Sequence, residues 1–348
     1  MTTASFNTFS DFDDHKVINY FQDEKSGLRG FITVHRGNCK FPAFGATRYW
    51  SYQDEKSALI DSLRLSKLMS HKAALAGIPC GGGKAVIIKD ANIRNKKDLL
   101  RIYADRVNLL GGHFITGADV GISREDVITM RRRSPYFVGV MVDPVRFTGL
   151  GLLLGIKACL SEVFHSDSLA NRSFAIQGVG KIGNELIKLI YPFAQKIYVA
   201  DIDPKAVKTV GSKFPKVKVV NLNEINQLKV DVFSPCALSN CLNKNSVNRL
   251  NCGIVAGGAN NQLESEDVAE TLFKKSILYA PDYVVNAGGL ISVYDEYENG
   301  NTRVSRVEKK VLIVEKNMRA IIFQSKKTGK NPAEIANSLA REIFDNLV

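Results

Sequence analysis

The chain has 348 residues, 45% hydrophobic and 24% charged, a globular balance that excludes disorder, collagen and coiled coil over most of its length. At roughly 100–200 residues per domain two domains are expected, with enough chain to bury a core without disulfides or metals. Lysine and arginine number 47 against 35 acidic residues, a net charge of +12. That excess suits nucleic acid, an acidic membrane or an anionic small molecule, or simply a solvated basic surface.

The N-terminus, MTTASFNTFSDFDDHK, is polar and acidic, unlike a signal or transit peptide. Residues 29–36 read as a strand. Asp54 to about Ala76 has helical spacing, with Ala58, Leu59, Leu63, Leu68 and Met69 on one side. Lys72 near its end reads, alone, as a snorkelling surface lysine. Gly81-Gly82-Gly83-Lys84 is not a phosphate loop, because Ile78 and Ala85 stand where that motif needs glycine and Ser or Thr. It is either a tight turn beside a solvated lysine or backbone brought close to something. AVIIK (85–89) reads as a buried strand. Asn95 to Leu110 reads as a helix stopped by Gly111-Gly112, followed by a short strand at 114–116. Ser123 caps a helix with Glu125 and Asp126 in its first turn. Asp119, between that strand and that cap, reads by itself as a loop carboxylate or a turn residue.

From Thr148 the pattern changes. A helix over about 148–164 leads into short apolar strands, FAIQ (174–177), KIYVA (196–200), VKVV (217–220), VDVF (230–233), GIVA (253–256) and ILYA (277–280), separated mostly by helices. That alternation means βαβ units and a parallel sheet. Beyond Asn286 the chain is mostly helical. The fold class is α/β with two domains: an α/β domain over 1–145 and a Rossmann domain over 146–324, with the terminal helices, 325–348, returning to the first. The longest apolar stretch, Phe147–Ile156, stops at Lys157, short of the ~20 residues that span a bilayer. Cys39, Cys80, Cys159, Cys236, Cys241 and Cys252 form no C-x-x-C pair and no zinc spacing. We expect free thiols, no metal, no membrane and a cytoplasmic location. Arg131–Arg133 is the only compact basic cluster and no nucleic-acid motif accompanies it, so a nucleic-acid partner is not expected.

Gly178-Val179-Gly180-Lys181-Ile182-Gly183 is G-x-G-x-x-G, and here it follows the strand FAIQ and opens a helix. Asp201 ends the next strand, 23 residues after Gly178. This is the dinucleotide fingerprint in its full context. Gly178 permits the turn, Gly180 admits the pyrophosphate, Gly183 lets helix and strand approach, and the helix N-terminus offers amides to phosphate. Asp201 would accept from the ribose hydroxyls and repel a 2′-phosphate, favouring NAD, although Lys181 and Lys205 lie near.

The stretches FPAFGATR (41–48), RLSKLMSHKAALAGIPCGGGKAVII (64–88), FITGADVG (114–121), FSPCAL (233–238), GGANNQLE (257–264) and YAPDYVVNAGGLISVYDE (279–296), together with the fingerprint, resemble the glutamate/leucine/phenylalanine/valine dehydrogenase family over nearly the whole chain. The resemblance is strongest to the leucine, phenylalanine and tryptophan dehydrogenase branch. It implies reversible NAD-dependent oxidative deamination of an L-amino acid to a 2-oxo acid and ammonia, in a homo-oligomer. By the same resemblance Lys72 would bind the substrate carboxylate and Lys84 would be the catalytic lysine. Burial and the neighbouring Lys72 cation would lower the Lys84 pKa so that it activates water. Asp119 would move a proton to or from the amine. Thr148 and Asn260 would lie near the nicotinamide. Cys236 and Ala237 would run along the cofactor, with Cys236 equally readable as a buried thiol.

Side-chain recognition would fall to positions matching Phe44, with Gly45 beside it, Gly117, Leu290 and Val293. These are apolar or small, against the cation a glutamate substrate requires. Phe44 adds bulk and Gly117 removes it relative to leucine dehydrogenases. The expected substrate is therefore leucine or another branched-chain amino acid, with phenylalanine or tryptophan as the alternative. The sequence departs from the family pattern at Ala118, where leucine dehydrogenases carry glutamate, at Gly258, and in the shorter loop 138–149 with its extra Arg146. A catalytically silent NAD- or amino-acid-binding sensor is the reading from another class.

Overall fold

Two separate sheets organise the chain, one mixed and one wholly parallel. The computed structural model describes residues 8–9, 11–38, 40–90, 93, 95–237 and 240–346. Cys39, Leu238 of the FSPCAL stretch and the last two residues of the expected terminal helix lie outside them. The described residues fall into two units, one drawn from Met1–Val142, Val293–Thr302 and Ala340–Val348, the other from Asp143–Ser292 and Arg303–Leu339.

The first unit runs β1 (Val17–Asp23), β2 (Leu28–Val34), β3 (Ala43–Trp50), α1 (Glu55–Leu75), β4 (Gly81–Ile88), α2 (Lys96–Asn108), β5 (Phe114–Ile115) and α3 (Arg124–Arg131). Its sheet order is β1-β2-β4-β3-β5. Asp54, Asn95 and Ser123 cap α1, α2 and α3 with their side chains, each satisfying first-turn amides. Ala58, Leu59 and Leu63 of α1 bury one face of the sheet against Phe31, Val86 and Ile88. Leu99, Leu100, Tyr103 and Val107 of α2 bury the other.

The three glycines before Lys84 do not turn; they begin β4. A Cβ at Gly82 would stand 2.0 Å from the Ser70 amide nitrogen, and one at Gly83 2.7 Å from the Phe114 ring. The close approach is therefore real, and at Gly82 the approaching body is the protein's own α1. Glycine here lets helix and strand pack at backbone distance.

Three histidines gather in this unit. The His35 ring is fully buried, 4.9 Å from His15 and 5.7 Å from Phe344. Its Nδ1 lies 2.9 Å from Ser70 Oγ, and its Nε2 3.4 Å from Asp13. The His71 ring stacks on Phe344 at 5.5 Å. Burial, with Arg36, His15 and His71, holds His35 well below the usual imidazole range, against the opposing pull of Asp13. The folded chain thus resists a proton that the unfolded chain accepts below about pH 6.5. Stability present above that pH should be lost as pH falls, by about 1.4 kcal/mol per pH unit for each such group. Denaturant midpoints at pH 7.5, 6.5 and 5.5 should fall in that order, less steeply in His35→Gln. Midpoints that stay level would contradict this.

The second unit opens on α4 (Pro144–Phe164), which starts four residues earlier than the sequence suggests, with Asp143 as cap and Pro144 in the first turn. By length and composition α4 could cross a membrane. It is a core helix instead, burying Phe147, Leu152, Ile156, Cys159 and Leu160. There follow β6 (Ser173–Gln177), α5 (Lys181–Ile190), β7 (Lys196–Ala200), α6 (Pro204–Lys213), β8 (Val217–Val219), β9 (Lys229–Pro235), α7 (Lys244–Arg249), β10 (Asn251–Val255), α8 (Glu266–Lys274), β11 (Leu278–Tyr279) and α9 (Asp282–Val285). The order β11-β10-β9-β6-β7-β8 is that of a Rossmann sheet, with its switch point between β6 and β9.

The chain ends in α10 (Gly288–Asn299), α11 (Val304–Val311), α12 (Ile313–Thr328) and α13 (Pro332–Asp345). Here the expected domain limits need correction. The first boundary falls at 142/143 rather than 145/146. Residues 293–302 join the first unit, because Tyr294 and Tyr297 pack on Phe44 and Glu296 pairs with Arg131. Of 325–348, only the part from Ala340 does so, where Phe344 meets the histidines. Residues 325–339 stay with the second unit, where α12 packs on α4.

Candidate active site

Alternation along β4 puts Lys84 on the same face as Gly82, toward α1. Register sets Ala46 of β3 opposite Lys84 and Arg48 opposite Val86, so Arg48 shares that face. Asp119 follows β5 on a segment held to β3 by the Thr47 and Tyr49 amides, which donate to the Gly117 and Val120 carbonyls. These three side chains meet. Lys84 Nζ donates to Asp119 Oδ2 at 2.7 Å, and Arg48 Nε donates to the same oxygen at 2.9 Å. Arg48 Nη1 reaches Asp61 of α1 at 2.9 Å, and Asp61 also accepts from Tyr52 at 2.8 Å and Arg64 at 3.0 Å.

Lys84 is 5% exposed. Burial pushes its pKa below the usual lysine range; Asp119 pulls it back in part, and Arg48 pushes it further down. Burial alone would raise the Asp119 carboxyl, but Lys84 and Arg48 hold it well below the carboxylate range. Arg48 thus acts on Lys84 as a neighbouring cation, a part the sequence assigned to Lys72 alone. Lys72 itself stands half-buried in the last turn of α1, the helix packed on β4.

Phe44 is fully buried on the same face of β3, with its ring 5.6 Å from Tyr294 and 5.2 Å from Tyr297. Val293 precedes these tyrosines on α10, half-buried, with Leu290 one turn earlier. Gly45 and Gly117 also meet the protein's own backbone closely. A Cβ at Gly45 would stand 1.9 Å from the Gly83 carbonyl, and alternation turns it away from Phe44, so Gly45 serves strand packing. A Cβ at Gly117 would stand 2.9 Å from the Val138 carbonyl, so the room its missing side chain leaves is already filled by backbone.

In the second unit the fingerprint turn leaves β6 with Gly178 at φ 99°, a conformation that suits glycine. A Cβ there would stand 2.7 Å from the Ala237 nitrogen, and one at Gly183 2.0 Å from the Gly178 carbonyl. At Gly180 nothing stands within 4 Å. Gly180 caps α5 without a side-chain bond. With open space beside Gly180 and no side chain capping the first turn, the residues fit a dinucleotide pyrophosphate there. Val179 and Ile182 shape the turn, and Lys181 is exposed on it. Asp201 Oδ2 accepts from the Val179 amide at 2.7 Å, and Oδ1 from Asp203 at 2.9 Å, fixing the carboxylate beside the turn. Cys236 and Ala237 follow directly on β9, across the switch point from Gly178. Burial raises the Cys236 thiol above its usual range. Asn260 Oδ1 accepts from Asn286 at 2.9 Å, and Thr148 Oγ1 donates to the Pro144 carbonyl at 3.0 Å.

The departures noted in the sequence have local reasons. Arg146 pairs with Glu308 at 2.6 Å. Gly258 lies against Ile182, whose Cγ2 would stand 2.3 Å from an added Cβ. Ala118 is exposed. Glu296, 1% exposed, accepts from Arg131 and from the Val140 and Met141 amides, which ties down loop 138–141. Sequence reading passed over Arg48, Asp61, Tyr52, Tyr294 and Tyr297. Arg48 and Tyr294 lie inside the FPAFGATR and YAPDYVVNAGGLISVYDE stretches, whereas Tyr52, Asp61 and Tyr297 lie outside every such stretch and carry no signal in the sequence.

A Rossmann sheet with an open fingerprint turn, in a chain that also carries a buried lysine–aspartate pair, defines a dinucleotide-dependent oxidoreductase. Comparison with known proteins makes this specific. The family model described as Glu/Leu/Phe/Val dehydrogenase, dimerisation domain, matches residues 15–139, and that described as Glutamate/Leucine/Phenylalanine/Valine dehydrogenase matches 200–342. An L-tryptophan dehydrogenase of Nostoc punctiforme is 40% identical over 337 residues, 95% of this chain and 94% of its own. A leucine dehydrogenase of Bacillus subtilis is 33% identical, covering 96% and 92%. The crystal structure of the Nostoc enzyme superposes with a TM-score of 0.82 at 39% identity over 96% of both chains. The chain belongs to the glutamate/leucine/phenylalanine/valine dehydrogenase family and is an amino acid dehydrogenase, an oxidoreductase acting on CH–NH2 donors.

Proposed function

We propose that the protein catalyses reversible, NAD-dependent oxidative deamination of an apolar L-amino acid to its 2-oxo acid and ammonia. The observation that carries this reading is the buried Lys84–Asp119 pair, 2.7 Å apart in a chain of this family. A dinucleotide held at the Gly178–Gly183 turn would supply the hydride acceptor for the substrate Cα. Lys72 holds the substrate carboxylate as a point charge. Neutral Lys84 takes a proton from the water that adds to the imine carbon, and its depressed pKa makes that form accessible. Asp119 receives the amine proton. The Gly178–Gly183 turn would hold the pyrophosphate, Asp201 the ribose hydroxyls and Thr148 and Asn260 the nicotinamide, with Cys236 and Ala237 running along the cofactor.

Leucine or another branched-chain amino acid is our first choice of substrate. Leu290 and Val293 offer an aliphatic face of α10, and Phe44, wedged against two tyrosines, fills space rather than opening it. An aromatic substrate is the second reading, supported by those same rings and by the tryptophan dehydrogenase relative. NADH formation with Leu, Val, Ile, Phe, Trp and Glu, each with NAD and NADP, tests this. Tryptophan or phenylalanine as best substrate would replace the first choice, and glutamate would overturn the apolar pocket. A chain that binds NAD yet reduces none of it with any amino acid would be the sensor instead.

The fixed Asp201 carboxylate supports NAD over NADP. Asp201→Asn keeps an acceptor for the Val179 amide and removes the charge. Its preference should move toward NADP by roughly tenfold, or ~1.4 kcal/mol, in the ratio of kcat/KM values. A wild type that already prefers NADP would refute the assignment. We further propose a homo-oligomer, in keeping with the dimerisation-domain description of the matched first segment, and a cytoplasmic location, in keeping with five unpaired cysteines among the described residues.

A further inference from the structure

Lys84 and Asp119 belong to a continuous alternating chain of charged groups in the first unit. It runs from Lys84 to Asp119, Arg48, Asp61 and Arg64, with each link between 2.7 and 3.0 Å. Tyr52 closes it by donating to Asp61. Arg48 is largely buried, and its planar fork spends Nε on one carboxylate and Nη1 on the other. Asp119 Oδ2 accepts from Lys84 and Arg48 at once, so Arg48 fixes where the oxygen that meets Lys84 can lie.

We propose that Arg48 is a positioning residue that holds the Asp119 carboxylate against Lys84, and that Asp61 holds Arg48 in turn and takes up part of its charge. The proposal rests on the dehydrogenase reading for its kinetic consequences, though not for its geometry. The groups facing Lys84 come from three elements: Asp119 after β5, Arg48 on β3, and Asp61 on α1, with Arg64 and Tyr52 on Asp61 and Lys72 further along α1. Arg48 pushes the Lys84 titration down and Asp61 pushes it up. Substitutions at adjacent links should therefore move it in opposite directions.

Arg48→Gln should shift the Lys84 titration to higher pH and Asp61→Asn to lower pH, each by on the order of one pH unit. Two readouts apply: the rising limb of kcat/KM against pH, and direct NMR titration of ε-13C-lysine-labelled protein, with the Lys84 signal assigned from Lys84→Ala. Arg48→Gln should also lower kcat by roughly 10–100-fold with KM for NAD unchanged. Arg48→Lys keeps the cation without the fork; it should restore the titration but little of kcat. Shifts in one direction, or none, in the NMR titration would overturn the proposal. If Arg48→Gln does not fold, the Asp61→Asn and Arg48→Lys titrations decide it. A wild type that turns over no amino acid would remove the functional reading, while the NMR titration would still judge the network.

Discussion

Lys84→Ala is expected to lower the deamination kcat by roughly two to four orders of magnitude, the usual contribution of a positioned general base. NAD affinity should stay within about twofold, because the turn that fits the pyrophosphate belongs to the other unit. The loss should be chemical rather than structural. Without Lys84, the Asp119 carboxylate keeps Arg48 at 2.9 Å and the Val120 amide, so no buried charge is orphaned. Pre-steady-state absorbance at 340 nm with circular dichroism as a fold control checks this. Turnover within tenfold of wild type would remove Lys84 from its role.

Asp119→Asn is expected to act twice. It removes the group proposed to receive the amine proton, which should cost roughly 100-fold or more in kcat. It also leaves the Lys84 and Arg48 cations facing an uncharged amide. Asp119 pulls the Lys84 titration up, so its loss should move the rising limb of kcat/KM to lower pH. The stability cost follows the same sign. While Lys84 stays protonated, breaking a buried pair costs about 3–5 kcal/mol. As pH rises past the lowered Lys84 titration, the lysine becomes neutral and the cost shrinks. Urea unfolding of variant and wild type between pH 6 and 9 should show the gap narrowing. A gap independent of pH would mean that Lys84 does not titrate in the folded chain.

The second unit was legible almost strand by strand. KIYVA is β7 residue for residue, and FAIQ lies inside β6. Strands of a parallel sheet are buried on both faces, so they read as uninterrupted apolar runs. The first unit hides its strands. In β1 an edge position leaves three of seven residues exposed and only Phe21 buried. In β3 the sequence AFGATRYW carries Gly45 and Arg48, and both break the apolar pattern for reasons of packing and pairing. Glycine at 81–83 suggests a turn by propensity, and only the approach of α1 explains a strand there. The course of α10 was opaque for a similar reason, since Tyr294, Glu296 and Tyr297 declare their unit only through distant partners.

The site divides the same way. The fingerprint is a local motif, so its residues and spacing could be read directly. Lys84 and Asp119 lie 35 residues apart, and nothing in their spacing implies contact; the family resemblance alone suggested their roles. No such help reached Arg48 and Asp61. A single arginine in a strand and a single aspartate in a helix read as solvated until the sheet register brings them together.

On the function proposed above, this chain oxidises an apolar L-amino acid at Lys84. The most direct measurement follows NADH and ammonia together when purified protein meets L-leucine and NAD, with L-tryptophan and L-phenylalanine in parallel. One ammonia per NADH from at least one of them, abolished in Lys84→Ala, is the predicted result. NADH formed without ammonia, or a reaction that survives loss of Lys84, would contradict it.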